Sequence, residues 1–199
     1  CATAVTFPVD HIRLEGDSLF AVALTCAPTA GCFDVEGRNA TDIGYFKLSL
    51  TSSTPLQAVK LGPGTLRSHI HNLLIATSGV VAGQDGIRLV DAAGNGVLWN
   101  HIYENYIGTT DVAVGVDGTN TGTGNDNFIY FNRFSGNNTC VKLGSNSNGN
   151  TYGPNTCDGW LVTAYDDAGI ANSSQGGYAE SAAGAAANVL TFRATSKSG

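Results

Sequence analysis

Several charged residues recur at a spacing that would align them on one face of a repeating structure. Lys60 and Arg88 each follow the first apolar residue of a short strand-like segment, and Asp34 holds the same position one segment earlier. A lysine or arginine can abstract a proton α to a carboxylate, and two carboxylates about 5–9 Å apart can hydrolyse a glycosidic bond. Asp34, Lys60, Arg88 and Asp117 are therefore the candidate catalytic residues, with an acidic polysaccharide as the substrate.

The same residues also fit a solvated charge ladder, which is the interpretation that the sequence favours. The full predicted column is Arg13, Asp34, Lys60, Arg88, Gly115 and Lys142. Neighbouring opposite charges on such a column form ion pairs at the rim that contribute little each. Glu15 and Glu36 both precede a glycine, which indicates a role in turns for these two carboxylates.

Aromatic and histidine side chains form a second candidate site, for binding a glycan or another subunit. One predicted column contains His71, Tyr103 and Tyr130, and a parallel column contains His69, His101 and Phe128. Exposed aromatic rows stack on sugar rings or become buried against another subunit. A third possibility is that the rings only stack on one another along a ladder.

These residues belong to a repeat of about 27 residues that sets the expected architecture. The apolar residue that marks the first strand of each repeat recurs at intervals of 21, 26, 28, 27 and 27 residues. These apolar residues are Ile12, Phe33, Val59, Ile87, Val114 and Val141. A fixed period in this range predicts a stacked array, because a single unit cannot bury its apolar face alone.

Each repeat also carries a second pattern, N-x-I-x-x-N-x-I. The segment from Asn100 to Ile107 matches that from Asn127 to Phe134, and weaker copies begin at Ser68 and Asp42. Period-two alternation predicts that Ile102 and Ile129 point inward. Asn105 and Asn132 are expected at turns, because asparagine tolerates left-handed backbone angles. One rung therefore consists of three short strands and three turns.

The predicted fold class is all-β: a single right-handed parallel β-helix of about six to seven rungs with a C-terminal cap. The predicted helix domain covers residues 1–172. From residue 173 to 199 the composition shifts to small residues, which predicts a linker followed by a cap or oligomer-contact tail. Such a tail would cover the open end of the stack, whose edges would otherwise pair with other chains.

The N-x-I-x-x-N-x-I pattern followed by V-x-V-x-G resembles the repeat of the pectate-lyase-like superfamily of right-handed parallel β-helices. Residues 7–17 resemble the first rung in phage tailspikes and bacterial polysaccharide lyases, and residues 166–172 resemble the end of a tailspike-like helix. The resemblance implies that the protein is either a trimeric viral fibre or an enzyme that degrades a polysaccharide. The chain contains no Asn-Thr-Asp and Gly-His-Gly set like that of polygalacturonases and no Asp-Pro-His-Glu like that of alginate epimerases, which weakens the enzyme hypothesis.

The amino-acid composition limits the kinds of partner and the kinds of membrane attachment that can be expected. Charged residues make up 13% of the chain, and the net charge of −6 argues against a nucleic-acid partner. No apolar run approaches the length of a membrane span. Methionine is absent, so a processed form or a fragment is expected.

Five cysteines are present, and two pairs of them flank short loops: Cys26 with Cys32, and Cys140 with Cys157. Disulfides at these pairs would indicate an oxidising, extracellular setting, whereas buried free thiols are the alternative. Cys1 would be the spare thiol or a lipidated N-terminus. No cofactor or metal is expected, because the histidines lack zinc-finger spacing. The loop 119–127 offers only a single faint calcium-like motif, at Asp126.

The sequence therefore favours a non-catalytic β-helix at a virion or extracellular surface. It would recognise a polysaccharide or cell-surface glycan and self-associate, as a trimer by resemblance. The first alternative is a polysaccharide lyase or glycoside hydrolase that acts on an acidic polysaccharide. The second is a purely structural shell or filament component.

Overall fold

The protein is all-β in a computed structural model that describes residues 3–18, 21–26, 31–51, 54–117 and 124–181. The first seven strands are β1 (Val5–Thr6), β2 (Arg13–Glu15), β3 (Val22–Thr25), β4 (Phe33–Val35), β5 (Asp42–Gly44), β6 (Phe46–Leu50) and β7 (Gln57–Leu61). The next seven are β8 (His69–His71), β9 (Leu74–Thr77), β10 (Asp85–Leu89), β11 (His101–Tyr103), β12 (Tyr106–Gly108), β13 (Val112–Val116) and β14 (Phe128–Tyr130). The last seven are β15 (Arg133–Ser135), β16 (Thr139–Leu143), β17 (Thr151–Tyr152), β18 (Asn155–Trp160), β19 (Thr163–Asp167), β20 (Ser173–Ser174) and β21 (Gly177–Ser181).

The strands form three parallel sheets, and every third strand along the chain joins the same sheet. The first sheet has the order β1-β4-β7-β10-β13-β16-β19, the second β2-β5-β8-β11-β14-β17-β20, and the third β3-β6-β9-β12-β15-β18-β21. Three consecutive strands therefore complete one turn of a coil, and the chain winds through about six turns. Val114 pairs with Val141 on adjoining strands, as the repeat predicts. The predicted parallel β-helix is confirmed.

Like side chains stack on one another inside the coil, so the core is a set of columns rather than a single cluster. In the second sheet Ile43, Ile70, Ile102 and Ile129 lie in register and are fully buried, with Leu14 half-buried at the first turn. The first sheet adds a buried column of Phe33, Val59, Ile87, Val114 and Val141. The third sheet adds Leu48, Ile75, Ile107, Phe134 and Cys157.

The first turn differs from the prediction. Arg13 pairs with Asp42 in the second sheet, so it does not belong to the column of Asp34 and Lys60, and Ile12 is not a first-sheet residue. Val5–Thr6 supplies the first-sheet strand instead, and Thr6 pairs with Asp34. This strand lacks the repeat signature, and the short interval of 21 residues results from matching a second-sheet strand to the first-sheet pattern.

The turn asparagines also differ from the prediction. Asn105 and Asn132 are buried, and the left-handed residue is the one before each of them, Glu104 and Phe131, both with φ of 54°. The same corner holds Tyr45 and Asn72 in this conformation in earlier turns. The asparagine amides point into the coil and bond to the next turn, so their role is internal hydrogen bonding.

Two ladders of asparagines run along the corners of the coil, and all of their members are buried except Asn172, which is partly buried. The first contains Asn100, Asn127, Asn150 and Asn172, and the second contains Asn105, Asn132 and Asn155. In each step the Oδ1 atom of one asparagine accepts from both the backbone N–H and the Nδ2 of the preceding one, at 2.8–3.1 Å. Satisfying buried polar groups in this way allows polar corners inside an otherwise apolar coil.

Two disulfides close loops between strands. Cys26 is bonded to Cys32 between β3 and β4, and Cys140 to Cys157 between β16 and β18. These are the two pairs named from the sequence, whereas Cys1 lies outside the described residues. Inside the segment 173–199, β20 pairs with β17 and β21 pairs with β18, and residues 182–199 lie outside the described part. The division into helix and cap stays a prediction.

The described part of the chain contains no helix that is long and apolar enough to cross a lipid bilayer.

Candidate functional site

The outward side of the second sheet carries a row of stacked rings, here called the aromatic face: His69, His71, His101, Tyr103, Phe128 and Tyr130. The register is as predicted, with Tyr103 between His71 and Tyr130, and His101 between His69 and Phe128. Tyr103 and Tyr130 are nearly parallel, at 7° with ring centroids 5.4 Å apart. The rings repeat because adjoining parallel strands place equivalent side chains about 4.8 Å apart.

Exposure is uneven along the aromatic face. His69 is exposed, whereas His101, Tyr103, Phe128 and Tyr130 keep only part of their surface in solvent. His71, in contrast, is only 6% exposed, because the ring of Tyr103 stacks on it and the ring of Tyr45 packs edge-on against it. The accessible platform therefore consists of the other five rings.

Phe131 extends this platform at the corner beyond β14. It is 61% exposed, and its ring lies 5.4 Å from that of Tyr130 at 79°. An apolar ring with this exposure in a left-handed backbone conformation is not placed there by core packing. Sequence alternation gave no signal for Phe131, because corner residues follow neither face of a strand.

Burial shifts the pKa of three platform rings, Tyr103, Tyr130 and His101, towards the neutral form of each ring. Burial raises the pKa of Tyr103, and the nearby Asp42 carboxylate raises it further. Burial also raises the pKa of Tyr130, with a smaller contribution from Glu104. The pKa of His101 is lowered by burial and by His69. The face therefore presents the phenol donors of Tyr103 and Tyr130 together with apolar ring surface.

Three of the four candidate catalytic residues form a column on the outward side of the first sheet, and the fourth, Asp117, directly follows the end of β13. Asp34, Lys60 and Arg88 follow one another in register, and Gly115 and Lys142 continue the column. Lys60 Nζ lies 3.4 Å from carboxylate oxygens of both Asp34 and Glu36. Each of these contacts is the kind of rim ion pair that a charge ladder contains.

Arg88 also lies between two carboxylates, and one of them, Asp85, is buried. Its guanidinium pairs with Asp117 and lies 3.3 Å from Asp85 Oδ2. The side chain crosses Gly115, where an added Cβ would lie 2.6 Å from Arg88 Nη1. Asp85 is almost fully buried, and burial raises its pKa, with Arg88 opposing the shift. Asp85 was not among the sequence candidates, although it lies two residues before the inward Ile87.

A groove opens beside Arg88, with a volume of about 370 Å³. Its lining residues are Arg88, Val116, Asp117, Lys142, Gly144, Ser145 and Asn146. Lys142 pairs with Asp166 at 3.5 Å on its other side. Both cations at this groove are therefore balanced by carboxylates of neighbouring turns.

Asp126, the candidate calcium residue, is an exposed corner residue with φ of 54°. Residues 118–123 of the preceding loop lie outside the described part, so the calcium hypothesis stays a prediction.

Comparison of the chain with protein-family models, with curated proteins and with solved structures gave no match. The function is therefore inferred from the geometry of the two outward faces.

Proposed function

We propose that this protein is a glycan-recognising β-helix that binds a polysaccharide or cell-surface glycan on its aromatic face without cleaving it. The observation that supports this proposal is the platform of five accessible rings over three consecutive turns, with stacked rings in the last two turns and the exposed Phe131 at its end. Stacked aromatic rings offer flat apolar surface with polar edges, which suits the faces and hydroxyls of sugar rings.

The charged face supports the non-catalytic form of the proposal. Lys60 and Arg88 are each engaged by two carboxylates, so neither presents an unpaired cation or base to a substrate. The two disulfides fit an extracellular or virion-surface location, because such bonds persist in oxidising compartments.

The proposal is tested in two steps. A glycan array identifies the polysaccharide that the protein binds best, and affinity electrophoresis then measures how strongly a gel containing that polysaccharide retains the protein. Tyr103→Ala and Tyr130→Ala are each expected to weaken retention about tenfold, equivalent to about 1.4 kcal/mol. Tyr106→Ala is the matched control, because Tyr106 lies on β12 of the third sheet, facing Arg133. Retention that is equal in all three variants and the wild type would refute a role for the aromatic face.

The second candidate is an enzyme that cleaves an acidic polysaccharide, and the groove beside Arg88 is the observation that favours it. The same incubations should be analysed for new reducing ends and for unsaturated ends. If the wild type forms product and the folded variants Lys60→Ala or Arg88→Ala do not, the function is catalysis rather than binding.

Self-association, as a homotrimer, is part of the proposal. Leu161, Val162 and Ile170 are large apolar side chains left exposed near the end of the described chain, which suits a subunit contact. Sedimentation equilibrium would give the mass, and Leu161→Ser with Val162→Ser should shift a trimer towards monomer. A monomeric wild type would refute this part and leave glycan binding to be judged separately.

A further inference from the structure

A cluster of one histidine and two carboxylates lies at the start of the second sheet, beside the aromatic face. Asp42 Oδ1 lies 2.8 Å from His71 Nε2, and Glu15 Oε1 lies 4.0 Å from the same nitrogen. One ligand atom from each of the three residues lies within 4.8 Å of the other two. We propose that Glu15, Asp42 and His71 bind a divalent transition-metal ion, with Zn²⁺ as the representative.

The imidazole of His71 is fixed in place before any ion binds. Its ring stacks on Tyr103 at 12° with centroids 5.0 Å apart, and Tyr45 packs against it edge-on at 87°. Gly44, the residue below it in register, has no side chain, and a Cβ there would lie 2.5 Å from His71 Cε1. The ring therefore occupies the space above Gly44, with Nε2 directed at the carboxylates.

The donor set matches the chemistry of borderline metal ions. Imidazole nitrogen with two carboxylates suits Zn²⁺ and its first-row neighbours, whereas Ca²⁺ and Mg²⁺ prefer oxygen ligands alone. Metal bonds of about 2.0–2.2 Å separate neighbouring ligand atoms by about 3.3 Å. Glu15 therefore has to move closer to His71, and Asp42 Oδ1 has to move slightly away from His71 Nε2. The side chains of Glu15 and Asp42 are 25% and 30% exposed, which gives both of them room to move and gives the ion access.

Arg13 is the group that competes with the ion. Its Nη2 lies 2.7 Å from Glu15 Oε1, and its Nε lies 3.9 Å from Asp42 Oδ2. The Arg13 side chain is 70% exposed, so it can leave for solvent at little cost. A simple salt-bridge network would need Arg13, whereas a metal site is strengthened by its removal.

Isothermal titration of the full chain with Zn²⁺ tests the site. One Zn²⁺ per chain is expected, with affinity reduced about 100-fold in His71→Ala and in Asp42→Asn, and raised several-fold in Arg13→Gln. Ca²⁺ or Mg²⁺ in excess should not displace Zn²⁺. Because His71 is buried and its variant can lose the fold, Glu15→Gln is the second variant, with an expected loss of about tenfold.

His69→Ala is the matched control, because His69 lies on the same strand but packs against the ring of His101 at 51° and is outside the cluster. Its affinity for Zn²⁺ should stay within about twofold of the wild type. The proposal is overturned if the wild type binds no Zn²⁺, if folded Glu15→Gln and Asp42→Asn bind it as well as the wild type, or if His69→Ala loses it. Since glycan retention is measured separately, this outcome is independent of the proposed function.

Discussion

The asparagine ladders show how single side chains stabilise the corners of the coil. Asn132 is 1% exposed, and its Oδ1 accepts from the backbone N–H and the Nδ2 of Asn105, both at 3.0 Å. Its own Nδ2 donates to Asn155 Oδ1 and to the carbonyl oxygen of Ile102. A buried polar group that loses its partner pays its full desolvation cost.

Asn132→Ala is therefore expected to lower the free energy of unfolding by about 3 kcal/mol, because it leaves two donors of Asn105 without an acceptor. Asn95→Ala is the control, since Asn95 is exposed in a turn, and its effect should stay within about 0.5 kcal/mol. Urea unfolding followed by circular dichroism measures both. Equal effects of the two substitutions would contradict a structural role for the ladder.

Asp85 gives a prediction for pH dependence. Burial raises its pKa in the folded protein above the ordinary value of 3.8, so the folded state binds its proton more tightly than the unfolded state does. The contribution of Asp85 to stability is complete below pH 3.8 and falls as the pH rises through the raised pKa.

Asp85→Asn removes this titration, so the variant should gain stability relative to the wild type as the pH rises from 3 through that window. The measurement is the difference in unfolding free energy between the two proteins at each pH. A difference that moves in the opposite direction would mean that the ion pair with Arg88, rather than burial, controls the pKa of Asp85.

At the scale of elements, each strand is stabilised by the equivalent strands above and below it. The inward column of the second sheet begins at the half-buried Leu14 and continues through fully buried isoleucines, among them Ile102. A truncation in the middle of this column leaves a cavity closed on all sides, whereas one at the first turn opens towards solvent.

Ile102→Ala is accordingly expected to lower the unfolding free energy by about 3 kcal/mol, and Leu14→Ala by about 1 kcal/mol. Both residues share a sheet and a face, so each serves as the control for the other in the same denaturant experiment. Similar losses at both positions would contradict the gradient of packing along the coil.

At the scale of the whole molecule, the disulfides limit the freedom of the unfolded chain. The Cys140–Cys157 bond closes a separation of 17 residues, and the Cys26–Cys32 bond closes one of 6. Loop-closure entropy predicts that replacing both cysteines of the Cys140–Cys157 bond by alanine lowers the free energy of unfolding by about 3 kcal/mol. The same change at the Cys26–Cys32 bond is expected to lower it by about 2 kcal/mol.

Thermal unfolding of both double variants, each compared with the oxidised wild type, measures this difference. Similar melting temperatures for the oxidised wild type and the Cys140→Ala, Cys157→Ala variant would argue against this account.

The sequence alone determined the coil, its three-strand turn and most of its columns, because a stack of parallel strands repeats the same side chain at the same position. Tyr103 over His71 and Arg88 over Lys60 follow from the repeat spacing. The alternation of inward and outward residues also predicts that the asparagines point inward, since Asn100 lies two residues before the inward Ile102. The preference of asparagine for turns concealed that signal.

Only the tertiary structure decided what the side chains do between columns. The first turn carries a weak copy of the repeat, so the sequence predicts the wrong sheet for Arg13 and a turn role for Glu15, which lies in β2. The approach of Glu15 to His71 could therefore not be predicted. Asp42 belongs to the column of His69 and yet bonds to His71 across the strand. A repeat fixes where backbones lie, whereas such diagonal contacts depend on side-chain rotamers and on the space that Gly44 leaves open.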